Sequence, residues 1–225
     1  MYSAGFYPYK TAEEHWAYWS RYIFMNRYQN TPKNVYYDLY NLVRDKDYFV
    51  LTTNVDHFFK KQGLISTGYF IHRATMDYGN VQSPATIKPM ITNPSLKKWL
   101  PNKKMRIPSE LVPHCPVCGA PMAMNLRTDN TLVEDKGWHR AAGRYQTFIS
   151  RHKDLKIVYL ELGVGGNTPG IIKYPFWRMI HEWKNAEYIC INAKESYAPE
   201  EIRDSSICIQ ADIGEVLQQF MDSDS

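Results

Sequence analysis

Three short runs in the chain carry residue types that could do chemistry. The first is Gly163-Val164-Gly165-Gly166-Asn167-Thr168. Glycines let the backbone approach a phosphate or ribose closely and offer N–H donors to it. The amide of Asn167 and the hydroxyl of Thr168 can bond the same ligand. The run is not the GxGxxG fingerprint of dinucleotide sites, and a tight strand-to-helix turn without a ligand would use similar residues. Its place directly after an apolar strand favours the ligand. The second run is Thr52-Thr53-Asn54-Val55-Asp56. An amide and a carboxylate at a strand end can orient a sugar hydroxyl or a water. An Asx turn capping the next helix accounts for the same residues, and on composition alone that account is preferred. The third run is Cys115-Pro116-Val117-Cys118-Gly119. It has the shape of a zinc knuckle, but a tetrahedral structural site needs four ligands. The partner pair belongs near 78–88, where no cysteine occurs, and His114 is not expected to complete the set. Cys115 and Cys118 are therefore an incomplete metal site, and a knuckle-shaped turn that needs no metal is the favoured reading.

The elements that would position these runs follow from periodicity. Thr11 and Glu14 form a capping box ahead of a helix from about 11 to 28, with Trp16, Trp19 and Ile23 on one face. A second helix follows Pro32, with Val35, Leu39 and Leu42 on its stripe. A doubly buried strand covers 48–53, a short helix runs up to Gly63, and a strand lies at 69–72. Prolines from Pro84 to Pro121 then interrupt the chain too often for long regular elements. Helix 137–152, strand 156–162, a helix with Pro175 near its first turn, strands 188–192 and 206–209, and a closing helix near 214–220 complete the pattern. Strands alternating with helices predict an α/β fold: a Rossmann-like parallel sheet with helices on both faces, plus a small Pro-rich, zinc-ribbon-like insertion. The expected domains are 1–79 with 131–225 as the Rossmann-like part and 80–130 as the inserted module. Ligands of such sheets bind at the carboxyl ends of the strands, where Asn54–Asp56, Gly163–Thr168 and Asn192 all fall.

Bulk properties narrow the classes. The net charge is +4 and the basic pairs Lys60-Lys61, Lys97-Lys98 and Lys103-Lys104 are scattered. That argues against a nucleic-acid partner, including a zinc-ribbon binder, which would need four ligands and a basic face. Four cysteines among 225 residues are too few for a disulfide scaffold. No apolar run reaches the length of a membrane span, and the Tyr-rich start lacks the apolar stretch of a signal peptide. The expected setting is cytoplasmic, with no membrane partner.

The run YFVLTTNVDHFFKKQG (48–63) resembles the sirtuin motif in which Thr-x-Asn-hydrophobic-Asp ends a sheet strand ahead of a helix and a Gly. WAYWSRYIF, DKDYFVLTTNVDHFF, CPVCGAPMAMNLR and LELGVGGNTPGIIKYPF extend the likeness over nearly the whole chain. They resemble the bacterial macrodomain-associated sirtuins, which transfer ADP-ribose to protein. The resemblance implies NAD as cofactor, cleavage of its N-glycosidic bond, and capture of the ribose by a protein acceptor, with ADP-ribosyl transfer or deacylation of a protein as the outcome. It implies catalytic roles for Asn54, Asp56 and Asp77, with Thr53, Asn54 and Asp56 around the nicotinamide ribose. Gly163, Val164, Gly165, Asn167 and Thr168 would line the adenosine side, Asn192 would meet the adenine ribose, and Asp212 and Ile213 would close over the adenine. A macrodomain protein is the partner it implies.

Three departures accompany the resemblance. Sirtuins open with a strand and a Gly-Ala-Gly-x-Ser phosphate loop, and nothing before Tyr48 matches it. The expectation is of an N-terminally truncated copy with weak NAD binding, because loop N–H groups that cradle phosphates are hard to replace. The catalytic Gln or His position is held by Thr75, a poor general base, with His72 three residues earlier. The zinc site is half present. Together these keep a second reading open: a catalytically degenerate sirtuin-like fragment acting as a binding module.

Overall fold

The computed structural model describes residues 2–31, 33–54, 58–62, 64, 69–71, 79–80, 105–115, 118–124, 134, 136–166 and 169–223. Two compact units emerge: 1–31 with 53–57 and 73–137, and 32–52 with 58–72 and 138–225.

The larger unit holds the parallel strands. β1 (Val50–Thr52) pairs with β2 (Tyr69–Ile71), Val50 opposite Tyr69. Two short strands of the other unit, β3 (Gly79–Asn80) and β4 (Ala123–Met124), come next in the chain. β5 (Ile157–Leu162), β6 (Ala186–Ile191) and β7 (Ser206–Ile209) form a parallel set in the order β5-β6-β7. The alternation of a strand sends neighbours to opposite faces, and the sequence exploits it. Tyr159, Tyr188 and Cys190 point into one apolar cluster with Phe176 and Ile180 of helix α5 (Lys173–Glu182). Leu160 and Leu162 point into the other, with Leu39 of helix α2 (Val35–Val43) and Leu217 of helix α6 (Ile213–Ser223). β1 splits in the same way, Leu51 to the first cluster and Val50 to the second. Each such buried side chain stabilises the unit by about 1.5–3 kcal/mol before chain entropy is charged against it. The remaining helices are α3 (Phe58–Lys61) and α4 (Lys136–His152). The expected Rossmann-like parallel arrangement with helices on both faces is what the unit adopts.

The smaller unit is built on α1 (Ala12–Ile23). Thr11 sits in extended backbone and its hydroxyl accepts from the Glu14 N–H at 3.3 Å, the cap that the sequence indicates. Glu14 also takes Arg106 at 2.8 Å, which holds its carboxyl below the usual range. Trp16, Trp19 and Ile23 bury their stripe against Ile107, Met122 and Met124. The aromatic face of α1 is thus the core of this unit, packed on part of the segment read as the insertion. The predicted helix does continue to Tyr28, but after Ile23 it widens into one π turn, closed by Gln29 N–H on the Phe24 carbonyl at 3.1 Å.

His15 lies among the rings of Tyr9, Trp16 and Trp19, and burial holds its imidazole below the ordinary value. The unfolded chain then binds the proton more readily than the folded one. The stability His15 contributes is present above the ordinary histidine range and is lost as pH falls through about 6.5. Chemical denaturation at pH 7.5 and 5.5 is expected to show this loss, and His15→Phe to flatten it. The lowered carboxyls of Glu13 and Glu14 lose their contribution in a more acidic window.

Candidate functional site

At the carboxyl ends of β5 and β6 the hydrogen-bond ladder continues one residue beyond each strand. Gly163 N–H donates to the Ile191 carbonyl at 3.0 Å, and Asn192 N–H to the Ile209 carbonyl at 3.1 Å. Both predicted strand-tip residues are therefore fixed by the sheet. Gly163 has φ +67°, the left-handed region that glycine adopts without strain. A Cβ built there would lie 3.2 Å from Ile213 Cδ1. Gly163→Ala is expected to cost about 1–2 kcal/mol from backbone conformation, with further loss from crowding Ile213. A denaturant titration reads the sum.

The Asn192 side chain joins the two tips. Its Nδ2 donates to the Val164 carbonyl at 3.3 Å, and its Oδ1 accepts from the N–H groups of Lys194 at 3.0 Å and Glu195 at 3.1 Å. Glu195 reaches back so that its carboxylate accepts from the Gly166 N–H. Sequence reasoning missed Glu195. The available signal was its place three residues past a strand tip, where an acidic group can meet a ribose hydroxyl. A side chain at Gly166 would press on that carboxylate, with Glu195 Oε2 3.3 Å from its Cβ.

Asp212 and Ile213 take structural positions. Asp212 caps α6, its Oδ1 accepting from Gly214 N–H at 3.0 Å and Glu215 N–H at 3.3 Å, and it pairs with Lys33 at 3.3 Å. Lys33 and the helix amides hold its carboxyl below the usual range. Ile213 packs in the apolar cluster with Leu39 and Leu217. Gly163, Val164, Gly165, Asn192 and Ile213 are thus gathered in one place, and Asp212 adjoins them through the chain. Thr53 and Asn54 follow β1, and Asn54 is exposed. Asp56, Asp77, Asn167 and Thr168, with His72 and Thr75, lie outside the described residues.

Behind the glycine loop lies a second feature that sequence reasoning missed. Glu161 and Lys173 are an ion pair 2.7 Å apart, both side chains 0% exposed. Tyr188 donates its phenol to the same carboxylate, and Cys190 Sγ lies 3.5 Å from it. Burial first, then the carboxylate, raises the Tyr188 phenol far above its ordinary range, and burial raises the Cys190 thiol.

The described ends of the knuckle are tied together. Cys115 N–H bonds the Ala120 carbonyl and Gly119 N–H the Cys115 carbonyl, each at 2.8 Å, and Gly119 has φ +71°. The Cys118 N–H points at Cys115 Sγ across 3.5 Å. Among the described residues no group of three or more His, Cys, Asp or Glu gathers as a metal would require.

No protein-family profile matches the chain. Solved structures resemble it in fold. A Sir2 homologue in complex with NAD superposes with a TM-score of 0.65 at 15% identity, over 95% of this chain and 72% of that one. A Sir2–p53 peptide–NAD+ structure superposes with a TM-score of 0.59 at 14% identity, over 93% of this chain and 77% of that one. The fold is the Sir2 fold. Among curated proteins, a protein ADP-ribosyltransferase of Staphylococcus aureus (strain Mu50 / ATCC 700699) is 32% identical over 227 residues, spanning 100% of this chain and 72% of that protein. The chain belongs to the sirtuin-type protein ADP-ribosyltransferase family. A probable bifunctional ADP-ribose hydrolase/ADP-ribosyltransferase of Fusarium oxysporum f. sp. cubense is 26% identical over 97% of this chain, which spans 38% of that protein.

Proposed function

We propose that this chain binds NAD at the tips of β5 and β6 and acts as a protein ADP-ribosyltransferase. The observation that carries the reading is the Asn192 side chain locked to the glycine loop, at the end of the sheet where ligands of open α/β folds bind. The tips fit a dinucleotide. A left-handed glycine leaves the loop without a side chain facing Ile213, and Asn192 and Glu195 bring an amide and a carboxylate to the same edge. NAD, when bound, supplies the ADP-ribosyl group through cleavage of its nicotinamide–ribose bond. Gly163, Val164 and Gly165 line the adenosine side, with Asn167 and Thr168 extending that lining. Asn192 orients the ribose, and Glu195 accepts from a ribose hydroxyl. Asp212 and Ile213, at the start of α6, close over the adenine. Thr53, Asn54 and Asp56 hold the nicotinamide ribose region, and Asn54, Asp56 and Asp77 orient the attacking group. Positioning and charge placement then carry most of the catalysis.

The acceptor is a protein, in keeping with the name of the Staphylococcus relative. The Fusarium relative carries hydrolase and transferase in one name, which supports a partner that processes ADP-ribose, a macrodomain protein. Among the described residues no helix is long and apolar enough to cross a membrane. Four cysteines in 225 residues are too few for a disulfide scaffold, which supports a reducing, cytoplasmic setting. Ile107, Met122 and Met124 of the proposed insertion 80–130 pack on α1, so the knuckle's unit takes in 1–31, and the larger unit is the nucleotide-binding part.

Calorimetric titration with NAD, with ADP-ribose as control, tests the reading. Micromolar binding of both supports it. Absence of binding by a chain shown to be folded overturns it in favour of a degenerate binding module.

A further inference from the structure

Lys173 occupies a position that physical chemistry disfavours twice. Its side chain is wholly buried, and it stands at the first residue of α5, where the helix dipole is positive. An apolar side chain of similar volume would avoid both penalties, and buried pairs replaced in that way often leave stability unchanged or raised. The cation is surrounded by directional contacts. It lies 2.7 Å from Glu161 Oε1, 5.5 Å from the centre of the Trp177 ring and 5.1 Å from that of Tyr197.

Those contacts belong to the stems of both loops that form the nucleotide site. Glu161 lies in β5, two residues before Gly163. Lys173 begins the helix into which the glycine loop leads. Tyr197 lies two residues beyond Glu195, in the segment that leaves Asn192. The same segment is tied back to β6 by the Ser196 hydroxyl on the Cys190 carbonyl at 3.1 Å.

We propose that Lys173 is a positioning residue whose buried ammonium, paired with Glu161 and faced by Tyr197, holds the loops 163–166 and 192–197 in the arrangement that binds nucleotide. The proposal rests on the NAD-binding reading for its consequence, but the clamp itself is measurable without ligand.

The test replaces the pair together, Glu161→Gln with Lys173→Met. This leaves no stranded charge and keeps an acceptor for Tyr188. Tyr197→Leu, at a residue 50% exposed, removes one face of the clamp with less risk to folding. Unfolding midpoints and amide hydrogen exchange are measured for each. The expected result is a midpoint within a few degrees of the parent, with the Gly163 and Gly166 amides exchanging roughly tenfold faster or more while the Tyr188 amide in β6 is unchanged. NAD then binds about tenfold more weakly, through a raised KM with little change in kcat. Unchanged exchange at Gly163 and Gly166 in a folded variant overturns the proposal. So does acceleration equal at Gly163, Gly166 and Tyr188, which marks a merely structural pair. If the parent chain binds no NAD, the nucleotide reading fails and the exchange data still decide the clamp.

Discussion

Lys173→Met made alone is expected to lower the free energy of unfolding by about 3–5 kcal/mol and the melting temperature by roughly 10 °C or more. The substitution strands the Glu161 carboxylate in a wholly buried site, where Lys173 is the cation that the described residues bring to it. Among the described residues Tyr188 and Cys190 still reach it, and one hydrogen bond from a phenol does not replace a full positive charge. A denaturant titration at pH 8 measures the effect. A loss below about 1 kcal/mol at pH 8 would show that the pair is solvated in solution, since exposed pairs are worth that little.

Asn192→Ala is expected to weaken NAD binding about 10- to 100-fold, equal to the loss of one to two well-made hydrogen bonds to a partly buried site. The side chain does three things at once. It donates to the Val164 carbonyl and accepts from two backbone N–H groups beyond β6. Alanine frees all three partners, so the glycine loop and the Lys194–Glu195 turn lose their shared anchor. Asn192→Asp separates the contributions. It keeps both accepted hydrogen bonds but sets a carboxylate oxygen against the Val164 carbonyl. Calorimetric titration of the two variants is expected to rank Asn192→Asp with Asn192→Ala if the loop contact dominates. It ranks with the parent if the turn dominates.

How far the sequence foretold this site depended on what kind of signal each part leaves. Strands such as 157–162 and 186–191 are largely apolar, and their tips carry glycine or asparagine, so both element and site position were legible. The end of α1 was not. The run from Ile23 to Tyr28 keeps helical composition while its hydrogen bonds shift to the π pattern, and composition does not record pitch. Asp212 illustrates a different limit. An Asp ahead of an apolar helix is equally a cap and a candidate ligand, and the structure shows the capping. The buried pair left no local signal, since Glu161 and Lys173 are 12 residues apart and each looks like a surface charge in its own window. Only the fold, which turns both toward Tyr188, reveals them. Glu195 was hidden because its contact depends on the chain reversing after Asn192.

Because Gly163 and Asn192 are the end rungs of the β5-β6-β7 ladder and the buried Glu161–Lys173 pair ties down the loops beyond them, their amides are expected to stay closed in the parent chain for as long as the sheet does. Loops that are merely draped over a fold melt ahead of it. These two tips should not. On slow heating, loss of nucleotide affinity and loss of the far-ultraviolet signal should fall on one curve, with no temperature interval in which the sheet persists and the tips are already loose.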